Sequence, residues 1–166
     1  MSQTFVAILM GSDSDLPVMT ATVDVLKKLG VSYEVNVLSA HRTPEDTKNY
    51  IADAESRGCR VFIAAAGLAA HLAGAVSAHT LRPVIGVPMD GGPLKGMDAL
   101  LSTVQMPGGV PVATVAIGKA GAKNAGYLAA QILSVADDAL NKTLIEERAA
   151  NAEAIRKKNA ELKGTL

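Results

Sequence analysis

A chain of 166 residues with 49% hydrophobic residues has the length and apolar content to bury a substantial core, which excludes a disordered role. Sixteen Lys and Arg balance sixteen Asp and Glu, so the chain lacks the basic footprint expected for nucleic acid or an anionic membrane surface. The single cysteine, Cys59, excludes an internal disulfide, and no Cys/His spacing suggests zinc.

Phe5 to Met10 is a near-continuous apolar run, as expected for a strand buried on both faces. It begins too early to leave room for a signal peptide, so a cytoplasmic location is expected. Leu16 to Leu29 reads as a helix with Val18, Val23, Val25, Leu26 and Leu29 on its apolar side, stopped by Gly30. Tyr33 to Leu38 is a second strand. Thr43-Pro44-Glu45-Asp46 is a helix start, with a hydroxyl cap, proline in the first turn and acids at the positive dipole end. That helix runs to Arg57 and ends at Gly58. Cys59 falls between helix and strand, where a buried structural thiol is expected.

Val61 to Ala65 is the third strand and Ala69 to Thr80 the third helix. Pro83 to Val87 is a short fourth strand, followed by a loop containing Gly91, Gly92, Pro93 and Gly96 and a helix over Met97 to Val104. Pro111 to Ile117 reads as the fifth strand and Ala122 to Ala136 as an Ala-rich helix. Five βα units with short connections predict a three-layer α/β/α domain around a parallel five-stranded sheet, with the flavodoxin-like order 2-1-3-4-5. One domain over 1–166 is expected, with a core over 1–138 and a charged helical extension over 139–166. Leu140, Leu144, Ala152, Ile155 and Leu162 form a thin apolar stripe on that extension, suited to docking on the body or on a neighbouring subunit. No apolar run approaches the roughly 20 residues of a membrane span.

In such sheets ligands bind at the carboxyl ends of the strands, where neighbouring connections diverge. Three loops meet there. The first, Gly11-Ser12-Asp13-Ser14-Asp15, offers hydroxyls and unpaired amides at a helix opening, which suits phosphate. One of its polar residues must cap the helix, and the surplus favours a site. Asp15 would repel phosphate but accepts hydrogen bonds from ribose hydroxyls. The second, Ser39-Ala40-His41-Arg42-Thr43-Pro44, presents a guanidinium fork for phosphate oxygens. Beside it His41 is the best general acid/base candidate. The third runs from Ala64 to Gly74 and is small and apolar apart from His71, which suits either a structural hydrogen bond or a substrate contact. His79 reads as an exposed residue late in the third helix, and Lys119 as a solvated lysine before a helix N-terminus. There is no Walker phosphate loop and no Gly-x-Gly-x-x-Gly after the first strand, so neither ATP nor a dinucleotide is indicated.

Six motifs in unbroken order over about residues 4 to 140 carry a specific resemblance. Gly-Ser-Asp-Ser-Asp, Ser-Ala-His-Arg-Thr-Pro, Gly-Leu-Ala-Ala-His-Leu-Ala-Gly, Gly-Val-Pro, Val-Gln-Met-Pro-Gly-Gly and Ile-Gly-Lys-Ala-Gly-Ala-Lys-Asn-Ala resemble the class I N5-carboxyaminoimidazole ribonucleotide mutases of purine biosynthesis. The resemblance implies reversible transfer of a carboxyl group from exocyclic N5 to ring carbon C4, without ATP, metal or organic cofactor. It implies His41 as the acid/base and Ser12 and Arg42 on the phosphoribosyl part. Asp15 would hold the ribose hydroxyls, with Ser14 and Ser39 close by. Gly67 to His71 would form a carbon dioxide pocket, and Gly67, Ala70, His71 and Leu72 would contact the substrate. It further implies a homo-octamer, with Met106-Pro107 and the C-terminal helix at subunit contacts. The class II branch, which carboxylates aminoimidazole ribonucleotide with free carbon dioxide, carries Lys in place of Arg42 and lacks Ala-Ala-His-Leu in the third loop. A non-catalytic flavodoxin-like nucleotide or flavin binder is a third reading. It lacks Trp for ring stacking and leaves His41 without a task.

Overall fold

The computed structural model describes residues 4–164. Five parallel strands, β1 (Phe5–Met10), β2 (Tyr33–Val37), β3 (Cys59–Ala66), β4 (Val84–Pro88) and β5 (Ala113–Thr114), lie in the order β2-β1-β3-β4-β5. Six helices connect and flank them: α1 (Leu16–Lys28), α2 (Pro44–Arg57), α3 (Leu72–Ser77), α4 (Met97–Val104), α5 (Gly118–Ser134) and α6 (Asp138–Lys163). Met10 lies beside both Val37 and Ala65, and Ala66 beside Pro88, so four strands end level. That alignment delivers the loops after β1 to β4 to one edge.

Alternation along β1 divides the core in two. Val6, Ile8 and Met10 pack with Ile63, Ile85 and Val87 against Met19, Val25 and Leu26 of α1 and Ala122, Ala125 and Ala129 of α5. On the other face Phe5, Ala7 and Leu9 meet Phe62, Ile51, Leu72 and Val76. Small residues let α1 and α5 come close: the buried Thr22 hydroxyl donates to Ala122 O at 2.6 Å, and a Cβ on Gly126 would sit 3.0 Å from Val25 Cβ.

Helix ends follow local chemistry. Gly30 adopts a left-handed conformation (φ 69°), which lets its N–H reach Lys27 O and the Val31 N–H reach Leu26 O, closing α1. Thr43 stands at the N-cap of α2 as expected, but its hydroxyl turns back to Ser39, so Pro44 and the acids alone open the helix. The third helix is shorter than its apolar pattern predicts. At its start Ala70 N–H donates to Ser102 Oγ and His71 N–H to Ala69 O, which holds 69–71 in a turn. At its end Thr80 Oγ1 accepts from Arg82 N–H and commits the chain to the approach to β4. The fifth strand is shorter too: only Ala113 and Thr114 pair with β4, since Pro111 brings no N–H and the chain turns at Gly118 (φ 69°) to begin α5 four residues before its predicted start at Ala122.

β3 begins at Cys59, before the expected Val61. The thiol is buried, and burial pushes it up to about 11, which marks an inert structural residue. α6 is capped by the Asp137 side chain accepting from Leu140 N–H at 3.0 Å. Leu140 and Leu144 dock on the body, while Ile155 and Leu162 of the same stripe remain 65% and 60% exposed. Glu147 holds the docked half, accepting from Lys28 Nζ and Tyr127 Oη at 2.8 Å each. No helix among the described residues is long and apolar enough to cross a membrane.

Candidate active site

The loops after β1, β2, β3 and β4 enclose a cavity of about 600 Å³ at the carboxyl edge of the sheet. It is lined by Ser12, Ser14, Asp15, Ser39, His41, Arg42, Gly67, His71 and Leu72, together with Gly11, Leu68, Met89 and Gly92. Larger grooves lie between α5 and α6 and at the opposite edge of the sheet, but neither gathers this set of polar groups.

The first loop forms a 3-10 turn over Asp13–Asp15, capped by Ser12, whose Oγ accepts from Ser14 N–H at 3.3 Å and from Ser14 Oγ at 2.9 Å. Capping therefore occupies Ser12. Asp15, although at the N-cap position of α1, makes no side-chain capping bond. Burial pushes its carboxyl above the ordinary value, opposed by the Ser12 backbone N–H.

The second loop is locked by Thr43 Oγ1, which accepts from Ser39 N–H at 3.0 Å. Ser39 Oγ in turn accepts from the Arg42 backbone N–H at 3.2 Å and from Arg42 Nε at 3.4 Å. Arg42 Nη2 donates to Gly11 O at 2.7 Å, tying the second loop to the first. Nη1 donates no hydrogen bond among the described residues, so one edge of the guanidinium fork remains for an anion.

His41 Nε2 and His71 Nδ1 are 2.6 Å apart, with ring planes at 89°. One proton fits between them, and the tautomer decides which ring donates. His71 is the N-cap residue of α3 rather than a helical residue. Ala70 differs from the other sequence candidates. It is buried, lies outside the cavity lining, and commits its N–H to Ser102. The Ala70 amide is thus not available to a ligand. His79 is exposed beside Pro83 and Val84, and Lys119 is exposed in the first turn of α5; neither lines the cavity.

Met89, Gly91 and Gly92 also line the cavity, beyond the residues that the sequence singles out. The rule that locates loops at the carboxyl edge covers the loop after β4 as well, and Met89 N–H donates to Ala66 O at 2.9 Å, fastening it to the third loop. Among the described residues no group of three or more His, Cys, Asp or Glu is placed to hold a metal ion.

A doubly wound α/β sheet with a guanidinium, capping hydroxyls and a paired imidazole at its switch point defines an enzyme for a small anionic substrate. The sequence profile described as AIR carboxylase matches residues 5–154, and the chain belongs to that family. It is 57% identical over 146 residues to the N5-carboxyaminoimidazole ribonucleotide mutase of Bacillus subtilis, covering 88% of this chain and 90% of that one. It is 51% identical over 150 residues to the protein of the same name from Pseudomonas aeruginosa, covering 90% and 92%. The crystal structure of Treponema denticola PurE superposes with a TM-score of 0.87 at 30% identity, covering 97% of this chain and 99% of that one.

Proposed function

We propose that this enzyme interconverts N5-carboxyaminoimidazole ribonucleotide and 4-carboxyaminoimidazole ribonucleotide in purine biosynthesis, as the names of its relatives indicate. The observation that carries the reading is the division of one cavity by the strand order. Loops after β2 and β1 bring the polar groups Ser12, Ser14, Asp15, Ser39 and Arg42. The end of β3 and the loops after β3 and β4 bring the apolar wall Ala66, Gly67, Leu68, Ala69 and Met89. A phosphoribosyl group suits the first side, and a small neutral molecule such as carbon dioxide suits the second.

His41 donates a proton to N5 as the N5–carboxyl bond breaks, its electron pair remaining on nitrogen and carbon dioxide departing. C4 then attacks carbon dioxide, and the proton lost from C4 returns to His41. Protons and electrons balance over the cycle, so one imidazole serves as acid and then as base. Retaining carbon dioxide beside its acceptor replaces a bimolecular step by one of high effective concentration. Ser12, Arg42 and Asp15 hold the phosphoribosyl part in this reading, with Ser14 and Ser39 supporting them. Gly67, His71 and Leu72 border the carbon dioxide, with Ala70 buried behind them.

The proposal includes a cytoplasmic homo-oligomer, an octamer by the family resemblance. Supporting it, α4 and its approach expose Leu94, Met97, Leu101 and Val104, and the free half of α6 exposes Ile155 and Leu162. Sedimentation equilibrium checks the assembly; a fully active monomer refutes it.

The reaction is tested by following the C4-carboxylated product by ultraviolet absorbance from the N5-carboxy nucleotide in degassed, bicarbonate-free, ATP-free buffer. Conversion establishes the mutase, because the carboxyl group can come only from the substrate. No conversion, with activity restored by aminoimidazole ribonucleotide and bicarbonate, moves the chain to the carboxylase branch.

A further inference from the structure

The stretch from Gly67 to Ala70 has no polar side chain, so what holds its shape must come from outside it. Helix α4 supplies such a hold. It is seated on the sheet by Thr103. A Cβ built on Gly86 of β4 would lie 2.4 Å from Thr103 Cγ2, so the threonine methyl occupies the space that the glycine leaves open. Ala99, one turn earlier, is fully buried. Next to Thr103, the Ser102 hydroxyl donates to Asp98 O at 2.7 Å and accepts from the N–H of the buried Ala70 at 3.0 Å. The residue after Ala70 is His71, whose Nδ1 lies 2.6 Å from His41 Nε2. Just beyond α4, Met106 Sδ lies 3.4 Å from a Cβ built on Gly74, so the segment is packed against α3 as well. Contacts thus run without a break from β4 through Thr103 and Ser102 to Ala70, His71 and His41.

We infer that Ser102 is a positioning residue for the reaction: by holding the Ala70 N–H it fixes where His71 presents its imidazole to His41. This rests on the mutase reading above, in which His41 carries the proton. A hydrogen bond between two imidazoles sets the tautomer and the ring orientation of each. Such a bond weakens steeply with misalignment, so it tolerates little movement of the turn that carries His71. Removing the Ser102 oxygen leaves the Ala70 N–H without its acceptor inside the protein, and the turn over 69–71 must shift to find another. Ser102 does not line the cavity, and Ser12 and Arg42 stand on other loops, so the groups that hold the nucleotide in that reading stay in place. The signature is a fall in kcat with KM unchanged, carried through His71.

The test is a double-mutant cycle on the whole chain, with conversion of the N5-carboxy nucleotide followed by ultraviolet absorbance. Ser102→Ala, which puts the strongest helix former in α4, is expected to lower kcat about tenfold with KM within about twofold of native. Ser102→Thr keeps the hydroxyl and is expected to bring kcat back to within about twofold of native. In a His71→Asn background, itself slower than native, Ser102→Ala is expected to cause no further loss, because the residue it acts through is gone. A loss of equal size in both backgrounds, as general destabilisation or misfolding would give, overturns the proposal. So does native kcat in Ser102→Ala or in His71→Asn. Each of these results leaves the mutase reading standing, whereas no conversion by the native enzyme overturns both.

Discussion

Replacing Arg42 separates charge from geometry in the proposed phosphate grip. Its Nη2 is committed to Gly11 O at 2.7 Å and its Nε to Ser39 Oγ at 3.4 Å, so the guanidinium plane is fixed before substrate arrives. Arg42→Lys keeps the positive charge but cannot donate to Gly11, Ser39 and a phosphate oxygen in one rigid fork. A hydrogen bond to a charged group contributes about 1.5–3 kcal/mol, which at about 1.4 kcal/mol per decade is roughly 10- to 100-fold in affinity. Arg42→Lys should therefore raise KM about tenfold, and Arg42→Ala about a hundredfold or more, with smaller changes in kcat. Initial rates over a range of N5-carboxy nucleotide concentrations, read by absorbance of the product, measure the split. If Arg42→Ala left KM within about twofold of native, the guanidinium would not hold the phosphoribosyl group, and the assignment of the polar side of the cavity would fall.

Further outcomes follow from the same geometry. His41→Asn should lower kcat by about 10²–10⁴-fold, the range of general acid–base catalysis, while isothermal titration with aminoimidazole ribonucleotide still shows binding; near-normal turnover removes the proton-transfer role. Asp15→Asn should raise the melting temperature at pH 7. Burial raises the Asp15 carboxyl above 3.8, so ionisation disfavours the fold, and the gain should vanish as pH falls below that unfolded value. Thr22→Val should cost about 1 kcal/mol in urea unfolding, because the buried hydroxyl's bond to Ala122 O is lost while the methyl keeps the volume. Glu147→Ala should free the docked half of α6 from Lys28 and Tyr127, read as faster amide exchange over 140–150 with exchange in β1 and β3 unchanged.

The parts of this fold that the sequence makes legible are those set by short-range chemistry. Apolar runs mark β1 and β3, Gly30 and Gly58 mark helix ends, and the switch-point rule places three loops together before any coordinate is known. What escapes it depends on partners far along the chain. Helix α3 loses its first turn because Ala70 bonds Ser102, 32 residues away, and no local pattern announces that bond. β5 shrinks because only Ala113 and Thr114 find partners in β4, between Pro111 on one side and the turn at Gly118 on the other, although the apolar run extends to Ile117. Residue type alone marks Ser12 and Arg42, but the use of Arg42 to bind the first loop through Gly11 O, leaving one edge free, is visible only in three dimensions.

The same division explains Leu68. In sequence it is one apolar residue among Gly67 to His71, the stretch to which the resemblance assigns the carbon dioxide pocket, and its backbone conformation is not announced. Its left-handed backbone (φ 57°) and the packing of its side chain over Gly92, 24 residues on, emerge once the third and fourth loops are brought side by side. Under the proposed function the site holds a charged nucleotide at one side and an uncharged gas at the other, and so needs two kinds of residue. Chemistry-bearing side chains announce the first kind by their identity. The second kind are ordinary hydrocarbon walls, distinguished only by the conformation they accept to stand where they do.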